Sequence, residues 1–529
     1  MKSYTSMFFC ERLFIFNRPQ KIFISLSASR CGFRLLKVLI FLSLISFELF
    51  AQNFPDGNIK YPFRAAPVIK CAGESFEILY VNSKSNKIDS AIIKGPYWTR
   101  KLKIEEVKKG KFEFDPYTHF SVDSKIKVSI PKDCPEELYD LYVFAGGKVT
   151  VSKRSVKVLK SYRTAYQFIH VSDLHVSRNW KGAAEDGYAE ELELLDKFVD
   201  VANIISPEYV ISTGDNIHDY TRFNADSSGW GGTNIKDANA KPGLEEKMRN
   251  YFEGAKGFRG VQSINAPVFS VPGNHDFYGV PEDNYAQKSA QWNTYCGLRF
   301  HAFNYLTTQL MFVDDFLGDP VADIPDSRPM GGNQGKYFEE FLKGTKGGLR
   351  IMAQHRHNRF DTAFLDRNKI DLVLNGHSHS PKVFRVGSTG TLSIRSGTVA
   401  RSGEIKSWQK TLGFFRVFTI DKGKLSYSEP LRFCTNPTAD YKDIISNLTM
   451  VYSASNFGES SSNAVLISNK LPADLPYCKV RFVMKKGRYN VKDGAIIQSI
   501  DTDKFTIVDV SVKVEKKSDK TVKIFPVSS

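Results

Sequence analysis

Five short apolar runs in the middle of this chain each stop on the same three residue types, and that pattern restricts the fold more than anything else in its 529 residues. YQFIHVSDLH ends on Asp173 and His175, and YVISTGDN ends on Asp215. PVFSVPGNHD brings Asn274 and His275, LRIMAQH brings His355, and DLVLNGHSH brings His377 and His379. Between the runs the spacing changes. Tyr188, Leu192, Leu195, Val199 and Ala202 recur every three or four residues, and Leu244–Gly254 and Tyr337–Leu342 repeat the pattern, which predicts helices. Apolar strands alternating with one-faced helices make an α/β domain. In an open α/β sheet the carboxyl ends of the strands gather along one edge, so residues spread from Asp173 to His379 can meet. Nine of the ten histidines lie between His170 and His379, an enrichment that filling a core does not require.

Neutral imidazole, carboxylate and amide oxygen form a mixed set suited to Mn, Fe or Zn rather than Ca or Mg. Asp173, His175, Asp215, Asn274, His355, His377 and His379 are too many for one ion and fit two, with one carboxylate bridging. Two ions roughly 3.5–4 Å apart clamp a phosphoryl group and lower the pKa of a shared water to about 7. Glycine before the ligand, at Gly214, Gly273 and Gly376, lets the backbone turn off the strand and approach the ions closely. His377 and His379 have one residue between them, so extended backbone would point both rings to the same side, one toward each ion, with Ser378 as spacer.

In order, D-x-H, GD, GNHD, a lone histidine at a strand end and GHxH resemble the calcineurin-like metallophosphoesterase superfamily. The resemblance covers about residues 165–420 and implies a four-layer αββα sandwich. It implies a first metal held by Asp173, His175, Asp215 and His379, and a second held by Asp215, Asn274, His355 and His377. It also implies that His275 contacts the phosphate with Asn274 and protonates the leaving group, after in-line attack by hydroxide held between two divalent or trivalent ions. Two departures matter. Where purple acid phosphatases have a tyrosine ligand, this chain has His218, and GDNIHDY lacks the arginine of the protein serine/threonine phosphatases. His218 and Asp219, after the bridging aspartate, are candidates for touching substrate. His357 is the alternate to His355. His170 reads as a core histidine, His301 as the start of a strand beside the site, and Asp314 and Asp315 as caps of that strand.

The flanks are different. From Asn53 to about Lys160, runs such as SFEILYV, KIKVSI and LYDLYVF alternate at period two between turns, predicting a β-sandwich over 53–160, and IPKDCPEELYDLYVF resembles strands of immunoglobulin-like domains. The α/β domain follows over 163–422, and strand patterning returns over 423–529 as a second β-rich domain, after a polar connection at Asn436–Ser462. The formal net charge is +16, carried by stretches such as KLKIEEVKKGK in which lysines alternate with apolar residues. This reads as solvated strand faces, and no nucleic-acid motif accompanies it. Residues 1–51 carry seven basic residues and then the ten-residue apolar run VLIFLSLISF. That run is too short to span a bilayer and suits a signal peptide, so the expectation is an exported bacterial protein, periplasmic, cell-surface or secreted. Beyond residue 51 the five cysteines are odd in number and widely spaced, which reads as packed free thiols, Cys71–Cys134 being the one pair to test.

Two functions compete. One is hydrolysis of phosphate mono- or diesters, with a nucleotide, lipid headgroup or sugar phosphate as substrate. The other is a surface protein whose β domains bind glycan or protein around a vestigial metal centre. Asn224–Pro242, rich in Gly, Asn, Ser and Asp, is expected to be a loop near the site. Trp230 and Phe277–Tyr278 are candidates for stacking on substrate.

Overall fold

A computed structural model describes residues 57–82, 87–115, 120–176, 189–217, 244–277, 285–316, 330, 332–344, 347–357, 360–399, 413–435 and 444–527. The leader, His218, Asp219, Trp230 and Tyr278 lie outside these residues. No helix among those described is long and apolar enough to cross a membrane.

The first region is all β: β1 (Ile59–Tyr61), β2 (Val68–Cys71), β3 (Ser75–Tyr80), β4 (Ile88–Lys94), β5 (Thr99–Asp115), β6 (Phe120–Ser129), β7 (Glu137–Ala145) and β8 (Lys148–Leu159). They join in the order β1-β3-β6-β5-β4-β7-β8-β2. β5 is long enough to pair with β4 through its first residues and with β6 through the rest. Both halves of the sheet then share one core, with Ile78 and Ile126 from one half and Ile93, Leu141 and Val156 from the other. The lysines of β5 are exposed, and Lys101 and Lys103 alternate with buried Leu102.

Two sheets form the middle of the molecule. In the first, β9 (Ala165–Val171), β10 (Val210–Thr213) and β11 (Val268–Val271) run parallel, and β18 (Phe414–Asp421) returns antiparallel beside β9. In the second, β12 (His301–Tyr305), β13 (Thr308–Phe312), β14 (Arg350–Ala353), β15 (Leu372–Asn375), β17 (Thr391–Arg395) and β16 (Lys382–Val386) lie in that order. The two sheets pack face to face through Phe168, Ile211, Phe269, Phe312, Ile351 and Leu374. Both faces of each sheet are covered, which is why the strands read as continuous apolar runs. The segment after His301 is a hairpin of β12 and β13, where a single strand had been expected.

Helix α1 (Ala189–Ile205) and helix α2 (Leu244–Phe252) cover the first sheet, and α3 (Tyr285–Tyr295) follows. Helices α4 (Asn333–Lys343) and α5 (Thr362–Arg367) cover the second sheet through Phe338, Leu342, Phe364 and Leu365. α1 is buried on more than one stripe: Leu192, Leu195, Val199 and Ala202, and also Leu194, Phe198, Val201 and Ile205. The second stripe has a physical cause. α1 also packs on the C-terminal strands Leu448–Tyr452 and Leu475–Lys485, and one continuous core runs from Val171 and Phe198 to Val480, Phe482 and Val508. The C-terminal region contributes a four-stranded and a three-stranded sheet.

β18 pairs with β19 (Lys424–Tyr427) and with β20 (Leu431–Arg432). One sequence reading needs adjustment. The stretch read as a polar connection contains strands Ile445–Ser446 and Leu448–Tyr452, whose exposed alternate residues are what made it look irregular. All five described cysteines are free.

An ion-pair bridge joins the two ends of the chain. Arg481 makes two bonds to Asp509, Nε–Oδ1 at 2.7 Å and Nη2–Oδ2 at 2.8 Å, and a third to Glu137 at 2.5 Å. Burial alone would raise both carboxylates, but Arg481 and Lys479 hold them below the usual carboxylate range. Arg481→Met leaves two buried acids without their main partner, and a loss of about 3 kcal/mol is expected in chemical unfolding at pH 7. Because the folded acids titrate below their unfolded values, the pair stabilises fully above pH ~4 and less below it. The difference between wild type and variant should therefore narrow as the pH falls below about 4. Equal stability at pH 7 would show that the bridge contributes nothing.

Candidate active site

The C-terminal ends of β9, β10 and β11 in one sheet and of β14 and β15 in the other meet at one edge, and the seven residues singled out in sequence all stand there. Asp173, His175, Asp215 and His379 have one donor atom each within 4.8 Å of one another, and Asp215, His355 and His377 form a second such group. Asp215 belongs to both. Its Oδ2 lies 3.2 Å from His355 Nε2 and 3.7 Å from His175 Nε2, yet this buried atom has no hydrogen-bond partner among the described residues. The Nε2 atoms of His175 and His379 face each other at 3.0 Å, with His379 Nε2 3.4 Å from Asp173 Oδ1. Asn274 joins the second group through Oδ1, 3.1 Å from His355 Nε2.

Backbone conformation builds this convergence. Asp173, His175, Asp215, His377 and His379 all have positive φ, between 49° and 72°. Non-glycine residues enter this region at a cost, Asp and His less than most. The reading of His377 and His379 as extended backbone is therefore corrected: each sits in a left-handed turn, and the two rings go to different donor groups. The glycines also need a refined account. Gly214 has φ +83°, but Gly273, at φ −116°, is needed for closeness alone. A Cβ on Gly273 would lie 2.3 Å from the Asp215 nitrogen, and one on Gly376 would lie 1.8 Å from Ser172 Oγ.

Hydrogen bonds then fix each ligand. His355 Nδ1 lies 2.7 Å from the Thr213 carbonyl, which can only accept, so Nδ1 carries the proton and the Nε2 lone pair faces Asp215. Burial opposes a charge on His355, but Asp215 carries its pKa up to about 10. A cation between Asp215 and His355 would take the place of that proton. The Asp173 carboxylate accepts from the His377 nitrogen at 3.1 Å, tying the β9 loop to the β15 loop. Such a donor set, with an orphaned buried carboxylate oxygen at its centre, fits a divalent transition metal.

Two supporting residues have roles that the sequence did not show. Asp276 accepts from the backbone nitrogens of Gly273, Asn216 and Ile217 at 2.7–3.1 Å, buckling the β11 loop to the β10 loop. Burial, and Asp215 nearby, push its pKa up to about 7. Arg395 holds the turn between His377 and His379 through Ser378 Oγ and the Ser380 carbonyl, both at 2.5 Å. Ser378 also lies 3.2 Å from His357, so it is an anchor rather than a mere spacer. The D of GNHD was in view, but only partners at the end of the neighbouring strand β10 give it a task. Arg395, at the end of β17, carried no local signal.

The remaining candidates divide. His275 is at the rim: its backbone nitrogen donates to Asp215 Oδ1 at 2.8 Å and its ring lies 4.7 Å from that of His175. His357 stands outside both donor groups, its ring 5.7 Å from His377. His170 is fully buried between Thr213 and Ser396, and burial lowers its pKa to about 3. His301 begins β12 and stacks on Phe312 at 4.5 Å. Asp315 caps across strands, accepting from the nitrogens of His355 and Arg356, while Asp314 pairs with Arg299. Phe277 is buried against Phe316 at 5.5 Å and Trp292, which makes it core rather than a stacking surface.

No curated protein matches the chain by sequence. Among solved structures, one titled "Structure of PhoD" aligns at 11% identity and a TM-score of 0.40, covering 79% of this chain and 92% of that one. A dimetal phosphatase from Danio rerio aligns at 11% identity and a TM-score of 0.30, covering 50% of this chain and 98% of its own. The family model for calcineurin-like phosphoesterases matches residues 166–381, the span that contains every donor of both groups. Residues 166–381 of this chain therefore match the calcineurin-like phosphoesterases, and the protein is a metal-dependent phosphoric ester hydrolase.

Proposed function

We propose that the protein is an exported bacterial enzyme that hydrolyses phosphate mono- or diesters at a centre of two transition metal ions. The observation that carries the reading is the shared carboxylate: Asp215 belongs to both donor groups, and its Oδ2 is buried without a hydrogen-bond partner among the described residues. In this reading Asp173, His175, Asp215 and His379 hold one ion, and Asp215, Asn274, His355 and His377 the other. Mn, Fe or Zn suit this donor set. When bound, the ions neutralise phosphoryl charge and bring the pKa of water near neutrality.

The chain's own groups do the rest. Asp215 Oδ1 orients His275 by accepting from its backbone nitrogen, which sets the imidazole at the rim facing the donors. From there His275 delivers a proton to the leaving oxygen. Asn274 and His275 then both face the phosphate, with His218 and Asp219 on the following loop as further contacts. The flanking β regions, read as sandwiches, wall the cleft and choose among nucleotide, lipid headgroup and sugar phosphate. Support for export comes from the basic and apolar pattern of residues 1–51.

Three outcomes are expected. Elemental analysis of Asp215→Asn should show loss of metal, with turnover of chromogenic phosphomonoesters and diesters lost with it. His275→Ala should keep its metal while kcat falls about 10²–10⁴-fold, and the loss should be smaller for substrates whose leaving group needs no proton. An equal loss on good and poor leaving groups would remove the general-acid role. Chelation should abolish turnover, and Mn, Fe or Zn should restore it. A metal-free protein without activity toward either ester class would instead favour a glycan- or protein-binding role.

A further inference from the structure

A second polar cavity lies where all three regions of the chain meet, away from the metal donors. Its volume is about 290 Å³, and its walls include Glu136 and Lys157 from the N-terminal region, Arg163 and Glu208 from the central one, and Tyr477 and Lys479 from the C-terminal one. It borders Gln167, near the start of β9, whereas the metal donors follow the end of that strand. At ~3.3 Å per residue the separation is on the order of 20 Å.

Strand parity puts both lysines there. On β8, Val156 and Val158 face the N-terminal core, so Lys157 between them points the other way. On the strand Leu475–Lys485, Cys478, Val480 and Phe482 face the core shared with α1, so Tyr477, Lys479 and Arg481 face Glu136 and Glu137. The two acids lining the cavity are already engaged. Arg163 binds Glu136 at 2.5 Å and Glu208 at 2.6 Å, and Tyr305 donates to Glu208 at 2.8 Å. Neither the Lys157 nor the Lys479 ammonium makes a close ion pair among the described residues, and Glu136, Glu137, Glu208 and Asp509 act on them at longer range. Three cations and two carboxylates line the cavity, and Lys157 is only 5% exposed.

We propose that this cavity binds a small oxyanion of the phosphate type, held between the Lys157 and Lys479 ammonium groups with the Tyr477 and Ser511 hydroxyls as further donors. A buried ammonium without a contact ion pair and beside a second ammonium is costly, and an anion between the two would offset both penalties. Burial, with Lys479 close by, pushes the Lys157 pKa down to about 8, a penalty that such a ligand would relieve. Because its walls come from three regions, an occupied cavity ties them together.

Calorimetric titration of the metal-loaded full chain with inorganic phosphate, competed with sulfate, tests this. Wild type should show two classes of site, one at the metal centre and one in the cavity. Lys157→Met and Lys479→Met should each lose one class while keeping metal content and phosphoester turnover, which also shows that they fold. Asp215→Asn should lose the other class and keep the cavity's. If both lysine variants bind phosphate with wild-type stoichiometry, or if Asp215→Asn removes all binding, the proposal fails.

Discussion

One carboxylate approached from both sheets is the constraint around which the central domain is arranged. Asp215 leaves β10 in the first sheet, while His355 and His377 leave β14 and β15 in the second. For those atoms to meet, the two sheets must pack face to face with their C-terminal edges level. The aromatic layer of Phe168, Phe269 and Phe312 between them sets that level. The layer does not touch the donors. It fixes the distance over which they can converge, and side chains packed at crystal-like density do not slide.

The site is expensive to build, and the surrounding structure carries the cost. Five of the seven candidate donors occupy left-handed backbone conformations, each disfavoured by roughly 1–3 kcal/mol for an ordinary residue and less for Asp and His. Buried imidazoles and carboxylates are gathered where water cannot solvate them. Against this stand hydrogen bonds between loops of different strands: Asp276 to the β10 loop, Asp173 to the β15 loop, Asp315 to the β14 loop and Arg395 to the His377–His379 turn. Each clamp is made by a residue that follows or precedes a donor by only a few positions, or by one that ends a neighbouring strand.

The donors were legible because their signal is local: an apolar run, then Gly, Asp, Asn or His at fixed spacing. Helices α2 and α4 were legible for the same reason, from one apolar stripe each. What depended on partners distant in sequence was not. The backbone of His377 and His379 looked extended because alternation is the simplest reading of H-x-H, and only the hydrogen bond from the His377 nitrogen to Asp173 shows the turn. Arg395 and Asp276 gain their roles from other strands. The double burial of α1 reads as one stripe in sequence, since the second stripe faces strands almost 300 residues later, and a pattern of apolar residues does not say which surface covers it.

That shared helix has an evolutionary consequence. α1 connects the loop carrying Asp173 and His175 to the strand carrying Asp215, and part of its apolar surface is closed by the C-terminal strands. Modules that merely sit side by side can be lost, swapped or duplicated by recombination at a linker. Here a cut between the central and C-terminal regions would expose Phe198 and Val201 on one side and Val480 and Phe482 on the other. Substitutions in the C-terminal strands are thus coupled through packing to a helix that connects two of the strands carrying candidate donors.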